Sequence, residues 1–150
     1  MRKKRIMIIG PGNCGKTSLA NLLNNDDGPP RKTQDTIFAK NTIDVPGAYI
    51  ENAWMYMHTI ALAQDAKCIL VMVDPSARAE IYSPGFAKVF RCPSIGIVSK
   101  CDLIQENKKY WEKQLRSAGV EGPCFFISTK TREGINELIS YLTENGLFPA

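Results

Sequence analysis

Four short apolar runs constrain this chain more than any other feature. Ile6–Ile9, Cys68–Val73, Ile95–Val98 and Cys124–Ile127 lack polar alternation, and each closes on Gly, Asp or Ser. A strand with one wet face alternates. A strand that does not alternate is covered on both faces, as in a parallel sheet whose crossovers lay helices on either side. The intervening segments carry the helical period. Leu19, Leu22 and Leu23 share one face, as do Ile135, Leu138, Ile139 and Leu142, and as do Trp111, Leu115 and Ala118 in a segment starting near Gln105. Glu51 to Gln64 repeats that spacing through Trp54, Met57, Ile60, Ala61 and Gln64. A fifth run, Thr36–Ile43, alternates less cleanly and ends in Asp44. The expected fold class is α/β: a doubly wound, mostly parallel sheet of about five strands with helices on both faces.

The chain has 150 residues, the size of one domain, with no repeat, linker or low-complexity tract. At 44% hydrophobic and 23% charged, its composition excludes a disordered or collagen-like chain. The net charge of +4 is local: Arg2, Lys3, Lys4 and Arg5 are four of 19 basic residues, leaving 15 against 15 acidic ones. A basic flank beside a strand solubilises, and nucleic acid is not an expected partner. Five cysteines, an odd number with no C-x-x-C pair, indicate neither a disulfide framework nor a zinc site. Cys68 and Cys124 read as small core residues, and free thiols suit a reducing compartment. The longest apolar run, Cys68–Val73, falls far short of the roughly 20 residues of a membrane span. The basic start runs into Ile6–Ile9 and then Gly10, without the long apolar stretch of a signal peptide. The expected setting is cytoplasmic, with no membrane partner.

In such sheets ligands bind beyond the carboxyl ends of the strands, so the loops there matter most. The loop after Ile9 is Gly10-Pro11-Gly12-Asn13-Cys14-Gly15-Lys16-Thr17, a full match to G-x-x-x-x-G-K-[ST] between a strand and a helix, with Ser18 continuing the site into that helix. Glycines let successive N–H groups turn inward around phosphate oxygens at a helix N-terminus. Lys16 can reach the β- and γ-phosphates, and the Thr17 hydroxyl can ligate Mg²⁺. The plain alternative is a glycine-rich helix cap. Asp44-Val45-Pro46-Gly47 follows the Thr36–Ile43 run; its aspartate can hold Mg²⁺ and Gly47 N–H can approach a γ-phosphate, although turns use the same residues. Ser99-Lys100-Cys101-Asp102 ends the Ile95–Val98 run. A carboxylate there accepts from both N1–H and the exocyclic amine of guanine, a donor pair adenine lacks; as an N-cap, Asp102 would merely start a helix. Ser128-Thr129-Lys130 closes the last strand and can offer backbone N–H groups to guanine O6.

Four loops in this order, each after a strand, resemble the small GTPase signature of phosphate loop, D-x-x-G, [NTS]-K-x-D and S-[AT]-K. The resemblance spans Ile6 to Leu142 and implies a three-layer P-loop NTPase, a trimmed Ras-like GTPase. It narrows further. Lys32-Thr33-Gln34, the stretch from Ile43 to Asn52, and Tyr82-Ser83-Pro84-Gly85-Phe86 are similar to the EutP/PduV family associated with ethanolamine- and propanediol-utilisation bacterial microcompartments. The Ser-Pro-Gly-Phe stretch leans towards the propanediol-type branch. The resemblance implies GTP/GDP and Mg²⁺ as ligands, and Thr33 as the switch threonine that meets both Mg²⁺ and the γ-phosphate. It also implies a location at a microcompartment, with a shell or cargo protein as partner.

The departures carry expectations of their own. Ala48 stands directly after Gly47, where Ras-like proteins place a water-orienting Gln and the EutP/PduV pattern usually has Glu. A methyl group neither donates to nor accepts from a water, so intrinsic hydrolysis should be slow. Arg31 and Lys32 could stabilise charge in cis, although solvated loop charges are the simpler account. The base-reading motif begins with Ser99 rather than Asn, leaving one hydroxyl to tether the phosphate loop. Between Lys16 and Asp44 there is room for only one strand. His58 and the Trp54–Met57 cluster read as helix packing, and Cys14 could be redox-sensitive near a helix N-terminus.

Three functions of different class remain. One is a slow GTPase switch in which Lys16 and Thr33 act on the γ-phosphate, Thr17, Thr33 and Asp44 hold Mg²⁺, and Ser99, Lys100, Asp102, Ser128, Thr129 and Lys130 read guanine. The second is an ATP-dependent phosphotransferase, since the EutP side of the family carries an acetate-kinase attribution; Asp102 argues against it. The third is a nucleotide-bound interaction module without useful hydrolysis, for which Ala48 speaks.

Overall fold

Strand β1 (Arg5–Ile9) is fully buried from Ile6 to Ile9, and the rest of the domain is laid out on either side of it. The computed structural model describes residues 4–11, 15–24, 37–38, 41–45, 56–76, 82, 84–103 and 108–148. Strands β3 (Thr42–Asp44) and β4 (Ala66–Val73) flank β1, both parallel to it. Beyond β4 lie β5 (Ser94–Val98) and β6 (Cys124–Phe126), also parallel. At the far edge β2 (Ile37–Phe38) runs antiparallel to β3, so the order is β2-β3-β1-β4-β5-β6. The α/β class and the parallel sheet are as the sequence indicates.

One strand differs. Thr36–Ile43 reads as a single element, but Ile37–Phe38 and Thr42–Asp44 pair antiparallel as two strands, so among the described residues the sheet has six, five of them parallel. The reversal ends at Asn41, a turn-forming residue held from outside the sheet. Its backbone N–H donates to Asn24 Oδ1 at 2.7 Å, and its side chain donates to Leu23 C=O at 2.9 Å.

Helix α1 (Lys16–Leu23) packs Leu19, Ala20 and Leu23 against Ile6, Ile8, Cys68, Leu70 and Met72 on one face of the sheet. Helix α4 (Ile135–Glu144) brings Ile135, Leu138 and Leu142 to that same face. The other face carries Met7, Ile9, Ile43, Ile69 and Val71 against Trp111 and Leu115 of helix α3 (Lys108–Ser117). Successive residues of β1 and β4 thus enter different cores, which is why neither strand alternates. The edge strand β6 is only half-buried, a correction to the expectation of burial on both faces.

Helix α2 (Tyr56–Leu62), continued by a 3₁₀ turn (Ala63–Asp65), turns differently from the sequence reading. Met57 is 69% exposed and Ala61 and Gln64 face solvent, while Thr59 is buried and Ile60, Leu62 and Ala63 pack on the core. Spacing at three or four residues selects two stripes when small and polar residues can serve on either, and packing chose the Thr59 side. His58 is exposed rather than packed. The expected start of α3 near Gln105 lies outside the described residues. Among the described residues no helix is long and apolar enough to cross a membrane.

Gly134 starts α4 with φ 76°, and a Cβ there would overlap the Phe126 carbonyl oxygen. Gly134→Ala is therefore expected to destabilise the fold by about 3 kcal/mol, from left-handed strain and overlap with fixed backbone. Urea unfolding monitored by circular dichroism measures this.

Candidate functional site

Gly15 makes the phosphate loop possible. At φ 99° it occupies the left-handed region as the N-cap of α1, and its carbonyl accepts the first helical bond, from Leu19 N–H at 2.9 Å. Lys16 then points back towards β1. It is 5% exposed and its ammonium donates to Pro11 C=O at 2.8 Å, so the cation is held against the backbone just beyond that strand. Gly12, Asn13 and Cys14 lie outside the described residues, as do Arg31, Lys32, Thr33, Gly47, Ala48 and Trp54. Ser18 is half-buried in the first turn of α1.

Thr17 meets Asp44. The hydroxyl donates to Asp44 Oδ2 at 3.1 Å across 27 positions of sequence, and Asp44 is buried. Two tethers produce the encounter. At the upper end, Asp44 pairs with Ile8 of β1 and Val45 N–H donates to Ile8 C=O at 3.2 Å. At the lower end, Asn24 caps α1 by donating to Ala20 C=O at 2.7 Å and also donates to Thr42 Oγ1 at 2.8 Å. Helix and strand are thereby held side by side over their whole length. The two ends of the D-x-x-G stretch separate here: Asp44 stands buried at the end of β3 beside Thr17, while Gly47 is outside the described residues.

Three main-chain bonds continue the parallel register past the strand ends and draw the later loops together. Ser99 N–H donates to Val73 C=O at 3.0 Å, Ile127 N–H to Val98 C=O at 2.9 Å, and Cys101 N–H to Ile127 C=O at 2.9 Å. Asp102 is exposed in the 3₁₀ turn Cys101–Leu103, beside the Ser128–Lys130 turn. Ser128 differs from expectation. Its N–H is taken by Glu133 C=O at 2.9 Å, and its hydroxyl accepts from Thr131 N–H at 3.2 Å. Among the described residues, the N–H groups of Thr129 and Lys130 have no protein acceptor, so the amides this turn offers are those two. Ser99 also differs: its hydroxyl donates to Val73 C=O at 3.1 Å, fastening β5 to β4 rather than to the phosphate loop. A serine side chain is too short to leave its own strand pair.

Lys100 brings in residues the sequence reading passed over. It sits at φ 53°, and its ammonium reaches Asp74 Oδ2 at 2.8 Å and Ser76 Oγ at 3.1 Å. Asp74 is 2% exposed at the end of β4. The available signal was its position: Asp74 closes an apolar run just as Asp44 does. Tyr82 is a second such residue. Its hydroxyl donates to Met72 C=O at 2.6 Å and lies 3.5 Å from Ile9 C=O, at the root of the phosphate loop. Its ring leans on Phe86, centroids 5.2 Å apart, which fixes the resemblance-bearing stretch against β1 and β4. Burial and neighbouring Glu133 push the Cys101 thiol up to about 11, and burial, helped by neighbouring Cys92, pushes Cys68 to about 12, so both are protonated at neutral pH.

With this geometry in view, the comparisons agree on family and fold. The family model described as ethanolamine utilisation - propanediol utilisation (PduV-EutP) matches residues 3–144. The chain belongs to the PduV–EutP family. It is 36% identical over 140 residues to the propanediol utilization protein PduV of Citrobacter freundii, covering 93% of both chains. Against the probable acetate kinase EutP of Escherichia coli (strain K12) it is 30% identical, over 93% of this chain and 89% of that one. The propanediol protein is the more similar of these two, in keeping with the Ser-Pro-Gly-Phe stretch. In three dimensions the domain resembles the translation elongation factor SelB of Methanococcus maripaludis, solved with the GTP analogue GppNHp. The TM-score is 0.68 at 21% identity, over 96% of this chain but only 34% of SelB. The fold is that of the P-loop GTPases.

Proposed function

We propose that this protein binds GTP and GDP with Mg²⁺, hydrolyses GTP slowly, and acts as a nucleotide-dependent switch or positioning factor for a bacterial microcompartment. The observation carrying the proposal is the collection, along one edge of one sheet, of two complementary half-sites. At β1 and β3 stand a buried ammonium and a hydroxyl–carboxylate pair. At β5 and β6 stand an exposed carboxylate and two amides without protein acceptors. Two strand spacings, about 10 Å, separate β1 from β5 and leave room for a ribose between phosphates and base.

The residues present fit a magnesium ion. Mg²⁺ prefers hard oxygen donors and shares its shell with substrate phosphates, and Thr17 Oγ1 with Asp44 supplies that donor chemistry beside the phosphate loop. When bound, the ion offsets charge on the phosphate oxygens. Lys16 and the loop amides would hold the β- and γ-phosphates, with Thr33 and Gly47 contacting the γ-phosphate. In hydrolysis water attacks the γ-phosphorus, the bond to the β-phosphate oxygen breaks, and GDP and inorganic phosphate leave. Ala48 leaves the attacking water without a side chain to orient it, and Arg31 and Lys32 are the nearest cations in sequence to Thr33. Ser99, Lys100, Asp102, Thr129 and Lys130 would form the guanine end, Ser128 shaping their turn. The microcompartment setting, cytoplasmic and with a shell or cargo protein as partner, is what the resemblance to the family implies; the relatives' names speak of propanediol utilisation and of an acetate kinase.

Lys16→Ala is expected to weaken GTP binding by on the order of 100-fold while the thermal midpoint stays within a few degrees of the parent. A fluorescent-nucleotide titration beside a melting curve measures both. Asp102→Asn is expected to lose on the order of 100-fold in GTP affinity and to gain xanthosine triphosphate, whose 2-oxo group accepts from the new amide. The same panel includes ATP, because a phosphotransferase of the kind named for EutP would bind ATP at least as tightly as GTP and would displace this reading. With protein in excess, a single turnover of GTP is expected to release phosphate over minutes to hours. No release with GTP still bound would leave a binding module instead.

A further inference from the structure

Lys100 cannot hold its conformation by itself. Its backbone lies in the left-handed region, φ 53°, which disfavours a lysine, and a free lysine stem samples many rotamers. The ammonium is held by a buried carboxylate. Asp74, 2% exposed at the carboxyl end of β4, takes the ammonium on Oδ2 at 2.8 Å. Its Oδ1 accepts from Ser76 N–H at 2.8 Å and Ser76 Oγ at 2.7 Å, and that same hydroxyl lies 3.1 Å from the ammonium. Asp74 to Ser76, the first residues after β4, therefore turn around a carboxylate that faces Lys100. Ser99, one residue before, is bound to Val73 through both its N–H and its hydroxyl, so the roots of the two loops cannot drift apart.

We propose that Asp74 is a positioning residue for nucleotide recognition: it holds the Lys100 stem as a rigid platform for the face of the bound base. The inference rests on the guanine-nucleotide reading above and extends it to a residue outside the four signature loops. The ion pair persists when nucleotide binds, because withdrawing the ammonium would strand a carboxylate buried in the protein with only Ser76 to satisfy it. Asp74 is thus no latch competing with the ligand. It removes beforehand the rotamer freedom that Lys100 would otherwise lose on binding.

The test is a double-mutant cycle on GDP affinity, read with a fluorescent GDP analogue and with xanthosine diphosphate as competitor. Wild type binding no GDP would overturn the nucleotide reading itself; every other outcome concerns Asp74 alone. Asp74→Asn is expected to weaken GDP by about five- to tenfold, and Lys100→Met by at least as much. The double variant should be no weaker than Lys100→Met, since Asp74 acts only through that side chain. The ratio of GDP to xanthosine diphosphate affinity should not move in Asp74→Asn, because a platform under the ring does not read its edge. Additive losses would mean a general structural role, and tighter binding by Asp74→Asn would mean a latch; either overturns the proposal. If Asp74→Asn does not fold, Ser76→Ala decides in its place: a two- to threefold loss that disappears in the Lys100→Met background supports the role, and an unchanged or additive effect overturns it.

Discussion

Everything in this domain depends on three adjacent parallel strands, β1, β4 and β5, buried on both faces apart from Arg5 and Lys67 near their starts. Because Ile6 and Ile8 enter one core while Met7 and Ile9 enter the other, a slip of one residue would exchange both sets at once. Register is therefore specified by packing from two sides. That precision extends beyond the strands: the main-chain bonds from Ser99, Cys101 and Ile127 carry the ladder into the loops, so loops distant in sequence end at one level. A binding site made of short side chains needs this, since Thr17 and Asp44 can meet only if β1 and β3 stay within one residue of their pairing.

Polar residues manage the places where apolar packing stops. At the lower end, Asn41 donates to Asn24 Oδ1 and to Leu23 C=O, tying the start of β3 to the end of α1. At the upper end, Asp44 and Asp74 are buried acids with named donors, and each organises a loop rather than a core. Tyr82 joins the two regions by setting its hydroxyl on the Met72 carbonyl close to Ile9.

The family assignment and the proposed chemistry bear on one another. The relatives' names point two ways, to propanediol utilisation and to an acetate kinase, and a phosphate loop suits a switch and a phosphotransferase equally. Under the proposed function, what separates them is the β5 and β6 half of the site, where Asp102 is exposed and, among the described residues, the Thr129 and Lys130 amides have no protein acceptor. A carboxylate there rewards a base with two adjacent donors and leaves an adenine poorly matched.

Much of this was legible in the residues alone. Unalternated runs announced buried strands, the period of α1, α3 and α4 announced their faces, and the glycine and lysine near the end of the Gly10–Thr17 octapeptide announced the start of α1, because each of those signals is local. Where the sequence misled, the deciding contact was remote. Thr36–Ile43 breaks in two because Asn24, on a different element, captures Asn41; Met57 faces solvent because packing selected the Thr59 stripe of α2. Ser128 gives its amide to Glu133, and Ser99 stays with Val73, because hydrogen bonds are settled by which atoms arrive within reach. Above all, nothing in the spacing of Asp74 and Lys100, 26 positions apart, pairs them. Composition and period determine which elements form and which of their faces are dry; only the closed sheet, by aligning strand ends, determines which charged side chains become neighbours.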